Sequence, residues 1–241
     1  MTPFETEITL KDNQADSRGN GRLSGLLYLC QEAAGGHCRE LGLDWENLQK
    51  KGLFWALIRT RMEIFRYPRA GEPVRMVTWP MPTTRSAFPR AAEGYDAEGR
   101  LLFRAVSLWV LMDTKKRTMV LPGKSGIDLE GLTLGRELPV PGSLGPEEAT
   151  VTEVYRVAAE DIDRNGHVNN TRYLDWLSAF PEGSLPPVRA LTACYLSEAM
   201  AGQTLTLCRS RAGDSLSFQA LRPRENGQEK TERIFACRLE F

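Results

Sequence analysis

The chain has only two histidines in 241 residues, and its five cysteines form an odd set without a C-x-x-C pair, which leaves little from which a zinc, iron or copper site could be assembled. Chemistry without such a metal is therefore expected. The same pattern offers no disulfide framework, so Cys30, Cys38, Cys194, Cys208 and Cys237 read as small buried apolar residues. An excess of one charge is missing too. Lys plus Arg is 31 and Asp plus Glu is 31, so there is no overall basic field of the kind nucleic-acid binding leaves. Long apolar runs are absent: Leu53 to Ile58 is short, and Leu101 to Met112 is interrupted by Arg104, so neither is a membrane span. The first residues show neither a positive leader nor an apolar signal core, and the expectation is a soluble cytoplasmic protein without membrane insertion.

What remains is an ordinary globular composition, 41 % hydrophobic and 26 % charged, enough for one large domain or two small ones. An internal repeat favours two. Asn20-Gly21-Arg22-Leu23, followed by Tyr28-Leu29, lines up with Asn165-Gly166-His167-Val168 and Tyr173-Leu174, Asn165 standing 145 residues after Asn20. Ala70-Gly71 then aligns with Ala201-Gly202, Gly202 standing 131 residues after Gly71; the first helical region, running on through Leu41 to Lys51, is the longer.

Each copy occupies the same place in a series of elements. Phe4 to Leu10 and Thr150 to Val157 partly alternate and read as strands. Helices follow, with apolar faces at Leu26, Leu29, Cys30 and Ala33 in one and Tyr173, Leu174, Trp176 and Leu177 in the other, opening at Ser24 and Asn169 as N-caps. Strands are expected over Val74 to Trp79, Ala87 to Tyr95 and Leu101 to Met112, and again over Leu205 to Arg211, Ser215 to Arg222 and Ile234 to Phe241. Asp96 to Gly99 and Arg224 to Gly227 supply hairpin turns. Residues 122–148, rich in Gly and Pro, read as a linker between a first repeat over 1–121 and a second over 149–241. The class is α+β, each half a main helix against an antiparallel sheet.

The halves differ where chemistry is expected. In the register of 145 residues, Asp163 faces Arg18, His167 faces Arg22 and Asn165 matches Asn20, while Glu198 faces Tyr67. Acid, amide and imidazole thus meet only in the second half. Asp163, Asn165 and His167 are spaced by two, so in an extended segment they project to one side. A helix opening near Asn169 would add free N–H groups able to hold a carbonyl oxygen as it becomes negative.

The run from Asp163 through Asn165, His167, Val168, Asn169 and Asn170 to Tyr173 resembles the D-x-N-x-H-V-N-N-x-x-Y signature of the acyl-acyl-carrier-protein thioesterases of plants and bacteria, and Thr192, Tyr195 and Glu198 resemble that family's later T-x-x-Y-x-x-E segment. In the first half Leu29 to Ala34, His37, Leu41-Gly42, Phe88-Pro89-Arg90, Trp109 to Asp113 and Leu121-Pro122 look like the family's first repeat, so the resemblance covers nearly the whole chain.

That resemblance implies a double hotdog fold, two tandem repeats each with a long helix wrapped by an antiparallel sheet. It implies hydrolysis of fatty acyl-acyl-carrier-protein thioesters, with Asp163, Asn165, His167 and Glu198 as the catalytic set, no cofactor, and acyl carrier protein as partner. An acyl tunnel would lie in the first half, with Trp55, Leu57 and Trp109 as wall residues. Tandem repeats already supply the pairing that single hotdogs reach by dimerising, which leaves monomer and homodimer both open. The plant enzymes place a cysteine directly after the glutamate, where this chain has Ala199, so a cysteine acyl-enzyme is not available there.

Roles stay open at this level. Glu198 or His167 would deprotonate water, Asn165 would position that water or the thioester carbonyl, and Asp163 would orient Asn165 or His167. Attack by Asp163 or Glu198 through a mixed anhydride is the alternative. An acyl-coenzyme A thioesterase and a non-catalytic acyl-thioester sensor are the competing functions. An acidic carrier calls for a basic surface, for which Arg156, Arg164, Arg172 and Arg189, or Lys115-Lys116-Arg117, are the candidates.

Overall fold

The computed structural model describes residues 3–129, 132, 136–179, 186–223 and 231–241. The chain divides into two compact units, Met1–Pro141 and Gly142–Phe241. Among the described residues no helix is long and apolar enough to cross a membrane.

The first unit contains β1 (Phe4–Thr9), α1 (Leu23–Glu40), α2 (Trp45–Lys50), β2 (Leu53–Ile64), β3 (Pro73–Pro80), β4 (Phe88–Tyr95), β5 (Leu101–Asp113), the short β6 (Met119–Val120) and α3 (Pro122–Ser125). Its strands run antiparallel in the order β1-β3-β4-β5-β2, with β6 paired to β5. The second unit contains β7 (Val151–Arg156), α4 (Arg172–Ala179), β8 (Ala190–Tyr195), β9 (Thr204–Ala212), β10 (Ser215–Pro223) and β11 (Thr231–Glu240). Its order, β7-β9-β10-β11-β8, is the order of the first unit element for element. The internal repeat is thus a repeat of topology.

Besides the two-residue β6, two strands escaped the sequence reading, each for a physical reason. In β2 the register shifts between Leu57 and Arg59, and this bulge breaks the alternation on which recognition depends. In β8, Ala190 through Cys194 are all buried, so apolar residues face both sides and no period of two appears.

Helix α1 packs on β1, β3 and β4 with Leu26, Leu29 and Ala33 fully buried. It is capped at Arg22, and Ser24 is buried in the first turn, so Ser24 is not the N-cap expected of it. In the second unit α4 lays Tyr173 and Trp176 on the sheet. Tyr173 stacks on Phe235 at 4.6 Å, and Trp176 lies 4.6 Å from Tyr155, centroid to centroid. Aromatic pairs of this kind contribute about 0.5–1.5 kcal/mol beyond their buried area.

Described residues of the stretch read as a linker are bound into the two units. Arg136 pairs with Glu93, its carbonyl accepts from Trp79 Nε1 at 3.3 Å, and both contacts lie within the first unit. Beyond Pro141 the chain belongs to the second unit, where the Glu147 carbonyl accepts from Gln219 Nε2 at 2.7 Å and the Leu144 carbonyl from Arg233 at 2.8 Å. The hairpin turn at Asp96 to Gly99 is closed by Asp96 N–H donating to the Arg100 carbonyl at 3.0 Å; that expected at Arg224 to Gly227 lies outside the described residues.

Candidate active site

Asp163, Asn165 and His167 do not lie along an extended segment. They form a tight turn between Ile162 and Val168, which pair as an isolated bridge. Asp163 N–H donates to the His167 carbonyl at 2.9 Å, Gly166 N–H to the Asp163 carbonyl at 3.0 Å, and Asp163 Oδ1 accepts the Asn165 N–H at 2.7 Å. Gly166 takes φ of +84°, the left-handed region. Turn closure, not strand alternation, therefore brings Asp163 and His167 together, and an Asp that accepts a backbone N–H two residues on is what makes such a turn.

The structure also corrects the register of the repeat. The same turn stands in the first unit, where Asp16 N–H donates to the Asn20 carbonyl, Gly19 N–H to the Asp16 carbonyl, and Gly19 has φ of +78°. Gly166 answers Gly19, and Asp163 answers Asp16, 147 residues apart rather than 145. The shared Asn-Gly dipeptide misaligned the copies by two residues. In the corrected register the aspartate is present in both halves as the turn builder. The differences become Asn165 against Arg18, His167 against Asn20 and Glu198 against Tyr67. In the first unit Arg69 donates to the Asn20 side chain at 3.0 Å and to the Arg18 carbonyl at 3.0 Å, closing the position that the second unit keeps for His167.

Because the cost of a Cβ at these glycines is mainly backbone strain, Gly166→Ala and Gly19→Ala each destabilise by about 1–2 kcal/mol. No atom lies within 4 Å of a Cβ built at Gly166. Thermal melting with activity on both variants checks the site: similar losses of stability are expected, with turnover impaired only in Gly166→Ala.

Glu198 reaches the cluster from the loop after β8. Val168 N–H donates to the Ala199 carbonyl at 2.8 Å, tying that loop to the turn, and Arg222 holds the Glu198 carbonyl at 2.9 Å while pairing with Glu232 at 2.6 Å. His167 lies between two carboxylates, Nδ1 3.9 Å from Asp163 Oδ1 and Nε2 3.6 Å from Glu198 Oε1. Both separations exceed hydrogen-bonding distance. His167 Nε2 is buried and has no hydrogen-bond partner among the described residues. A buried nitrogen left orphaned beside a carboxylate is a pair that a third group lying alongside could bridge.

Helix α4 begins at Arg172, not near Asn169. Asn169 Oδ1 accepts from the Thr171 N–H and hydroxyl at 2.9 Å each, and the N–H groups of Arg172 and Leu174 are taken by the Asn169 and Thr171 carbonyls. These N–H groups of the expected oxyanion-holding end are therefore already engaged.

A residue that sequence reading passed over underpins the site. Asp161 is fully buried and accepts from Tyr155 Oη at 2.7 Å, Ala158 N–H at 3.0 Å and Arg172 Nε at 2.9 Å, while its carbonyl accepts the Asn169 N–H at 2.8 Å. It clamps β7, the turn from Asp163 to His167 and the start of α4 to one another. Burial pushes its carboxyl up, but the hydrogen bonds and the Arg172 charge outweigh this and hold it below the ordinary carboxylate range. Nothing in the spacing of Tyr155, Asp161 and Arg172 announced this network.

Of the expected wall residues, Leu57 and Trp109 are register partners on β2 and β5, and Trp55 follows two residues before Leu57 on the same side. Trp55 donates Nε1 to the Leu43 carbonyl at 3.1 Å and meets Phe88 edge-on at 5.1 Å. Trp109 lines a cavity with room for about one water-sized group, ≈ 10 Å³. Of the basic candidates, Arg172 is turned to Asp161 and Asp175, whereas Arg156, Arg164, Arg189 and Lys115 to Arg117 are exposed.

Two family models match the chain, the acyl-ACP thioesterase N-terminal domain over residues 2–121 and the acyl-ACP thioesterase C-terminal domain over residues 145–233. Among curated proteins it is 26 % identical over 193 residues to a chloroplastic palmitoyl-acyl carrier protein thioesterase of Gossypium hirsutum, covering 72 % of this chain and 46 % of that protein. It is 23 % identical to a chloroplastic acyl-[acyl-carrier-protein] hydrolase of Cuphea viscosissima, covering 93 % and 56 %. The chain thus spans about half the length of these relatives. Among solved structures it is similar to an acyl-ACP thioesterase from Bacteroides thetaiotaomicron, with TM-score 0.81 at 20 % identity over 98 % of this chain and 96 % of that one. It is also similar to the 12:0-ACP thioesterase from Umbellularia californica, with TM-score 0.76 at 21 % identity over 98 % and 96 %. These likenesses place the fold as the double hotdog.

Proposed function

The chain belongs to the acyl-ACP thioesterase family, and from that premise we propose that it hydrolyses fatty acyl-acyl-carrier-protein thioesters to free fatty acid and the carrier thiol. The observation that carries the reading is the buried Nε2 of His167, without a hydrogen-bond partner among the described residues and standing 3.6 Å from Glu198 Oε1. A water lying alongside this pair, within hydrogen-bonding reach of both, meets an imidazole nitrogen and a carboxylate at once. One of the two takes its proton as the oxygen adds to the thioester carbonyl. The tetrahedral intermediate then collapses, the C–S bond breaks, and the proton passes to the departing sulfur.

Asp163 builds the turn and accepts the Asn165 amide at 3.3 Å, so its part is to position Asn165, which faces the water or the thioester carbonyl. The acyl chain follows the side of β2 and β5 that carries Trp55, Leu57 and Trp109. Each methylene buried there adds about 0.8 kcal/mol, so chain-length preference is a matter of volume. Five free thiols fit a reducing, cytoplasmic setting.

The handle is tested by comparing carrier-linked and coenzyme A thioesters of equal chain length across ionic strength. Docking of an acidic carrier on exposed arginines such as Arg156 and Arg189 makes kcat/KM higher for the carrier substrate and steeply salt-dependent. Equal values with a flat salt profile would remove the carrier from the proposal while leaving the hydrolysis.

A further inference from the structure

Glu198 stands on the loop between β8 and β9, and a carboxylate that must meet a reacting water has to be held to a fraction of an ångström. Part of that hold is backbone. The Leu196 and Ser197 N–H groups both donate to the Ile234 carbonyl, at 2.9 and 3.2 Å, and the Ala199 carbonyl accepts from Val168. A single side chain adds to it at three points of the loop. Arg222 Nη1 donates to the Glu198 carbonyl at 2.9 Å and to Gln203 Oε1 at 3.3 Å, while Nη2 donates to Ser197 Oγ at 3.3 Å and to Glu232 Oε2 at 2.6 Å. Arg222 and Glu232 are register partners on β10 and β11, just past a shift of register between Ala220 and Leu221. The guanidinium thus ties Ser197, Glu198 and Gln203 to two paired strands.

The first unit shows what this arrangement replaces. Gly202 follows Gly71 by 131 residues, both at φ of +78°, and Thr206 follows Arg75 by the same interval. Leu221 pairs with Thr206 as Tyr95 pairs with Arg75, so Arg222 stands where the first unit has Asp96, past the same shift of register. The loops answer each other too. Glu72 accepts the Arg69 N–H at 2.7 Å as Gln203 accepts the Met200 N–H at 3.0 Å, and Arg66 meets Asp96 where Ser197 meets Arg222. In the first unit, however, the cation belongs to the loop: Arg66 pairs with Glu72 and Asp96 and donates to the Tyr67 carbonyl at 3.4 Å. In the second it belongs to the strand, and the carbonyl it holds is that of Glu198, the residue answering Tyr67. A guanidinium rooted in paired strands is a fixed donor, whereas one on the loop moves with it. Pairing with Glu232 alone would need only a point charge; reaching a carbonyl, a hydroxyl and an amide as well takes the planar fork of an arginine.

We propose, on the reading that Glu198 serves the hydrolysis, that Arg222 is a positioning residue: it holds Glu198 at His167 by clamping the loop that carries it, and it acts on the reaction through Glu198.

Arg222→Lys separates position from stability, because lysine keeps a cation opposite Glu232 and loses the fork. This variant should melt close to wild type and yet lose about 10- to 100-fold in kcat with KM little changed, the scale of a misplaced reacting group. The same substitution made in Glu198→Ala should cost nothing further, since residues that act as a unit do not add. Should the lysine variant unfold, Ser197→Ala, which takes one acceptor from the fork and leaves the Arg222–Glu232 pair, should give a smaller loss in kcat that likewise vanishes in Glu198→Ala. Thiol release by wild type is read first: without it the hydrolysis fails and this role with it. With wild type active, an unchanged kcat in folded Arg222→Lys, or an equal proportional loss with and without Glu198, would overturn the role of Arg222 and leave the hydrolysis standing.

Discussion

Replacing His167 by alanine lowers turnover on a fatty acyl thioester by about 10²–10⁴-fold, the range for removing an acid–base group, while costing little stability. The second half of that expectation comes from the same geometry as the first. His167 Nε2 has no hydrogen-bond partner among the described residues, and Nδ1 stands 3.9 Å from Asp163, beyond hydrogen-bonding distance, so truncation breaks no hydrogen bond at Nε2 and none between Nδ1 and Asp163. The turn is built by backbone bonds and by Asp163, and both survive. Since the proposed contact acts on the attacking water, kcat and kcat/KM should fall together. Glu198→Gln divides the roles. Gln keeps the shape but accepts no proton, so a loss as large as that of His167→Ala assigns the proton to Glu198, and a markedly smaller one assigns it to His167. Steady-state kinetics with a melting curve for each variant reads both halves.

Asp161→Ala carries the largest expected loss of stability, about 3 kcal/mol, because it strands three donors that now converge on one buried carboxylate. Arg172 keeps 35 % of its side chain exposed and can recover some solvation, which keeps the figure below that of a fully buried ion pair. For a chain of this size the loss corresponds to a fall of roughly 6–12 °C in melting temperature. Its pH dependence has a definite sign. The Asp161 carboxyl titrates lower folded than unfolded, so its stabilisation is fully present above the unfolded value of about 3.9 and is lost as pH falls through the depressed folded value. The gap between wild type and Asp161→Asn should therefore be constant near neutrality and close in acid. Asp161 touches no reacting atom, so it is a positioning residue. Asp161→Asn should lower kcat more than it alters KM, which stability loss alone does not produce.

The sequence was most informative where geometry follows from local rules. The tandem order of strand, turn, helix and strands was legible because turn glycines and alternating strands recur in both halves, and the cluster of Asp163, Asn165, His167 and Glu198 was legible as a motif. Register was not, because the Asn-Gly pairs at Asn20 and Asn165 match in identity while the left-handed glycines are Gly19 and Gly166. The aspartate that looked unique to one half is a turn builder in both. The helix start was misplaced because Asn169 caps a turn that precedes α4. Strands β2 and β8 hid behind a bulge and behind burial on both faces. Asp161 stayed silent because a buried charge looks, in a sequence, like an ordinary surface one.

The proposed hydrolysis is tested most directly by incubating the wild-type chain with a chain-length series of acyl thioesters, on carrier protein and on coenzyme A, and measuring free thiol and fatty acid together. Stoichiometric release of both, strongest over a narrow range of chain lengths, is the expected result. Saturable binding of the acyl thioesters without release of thiol from any of them would contradict it and leave the chain an acyl-binding protein.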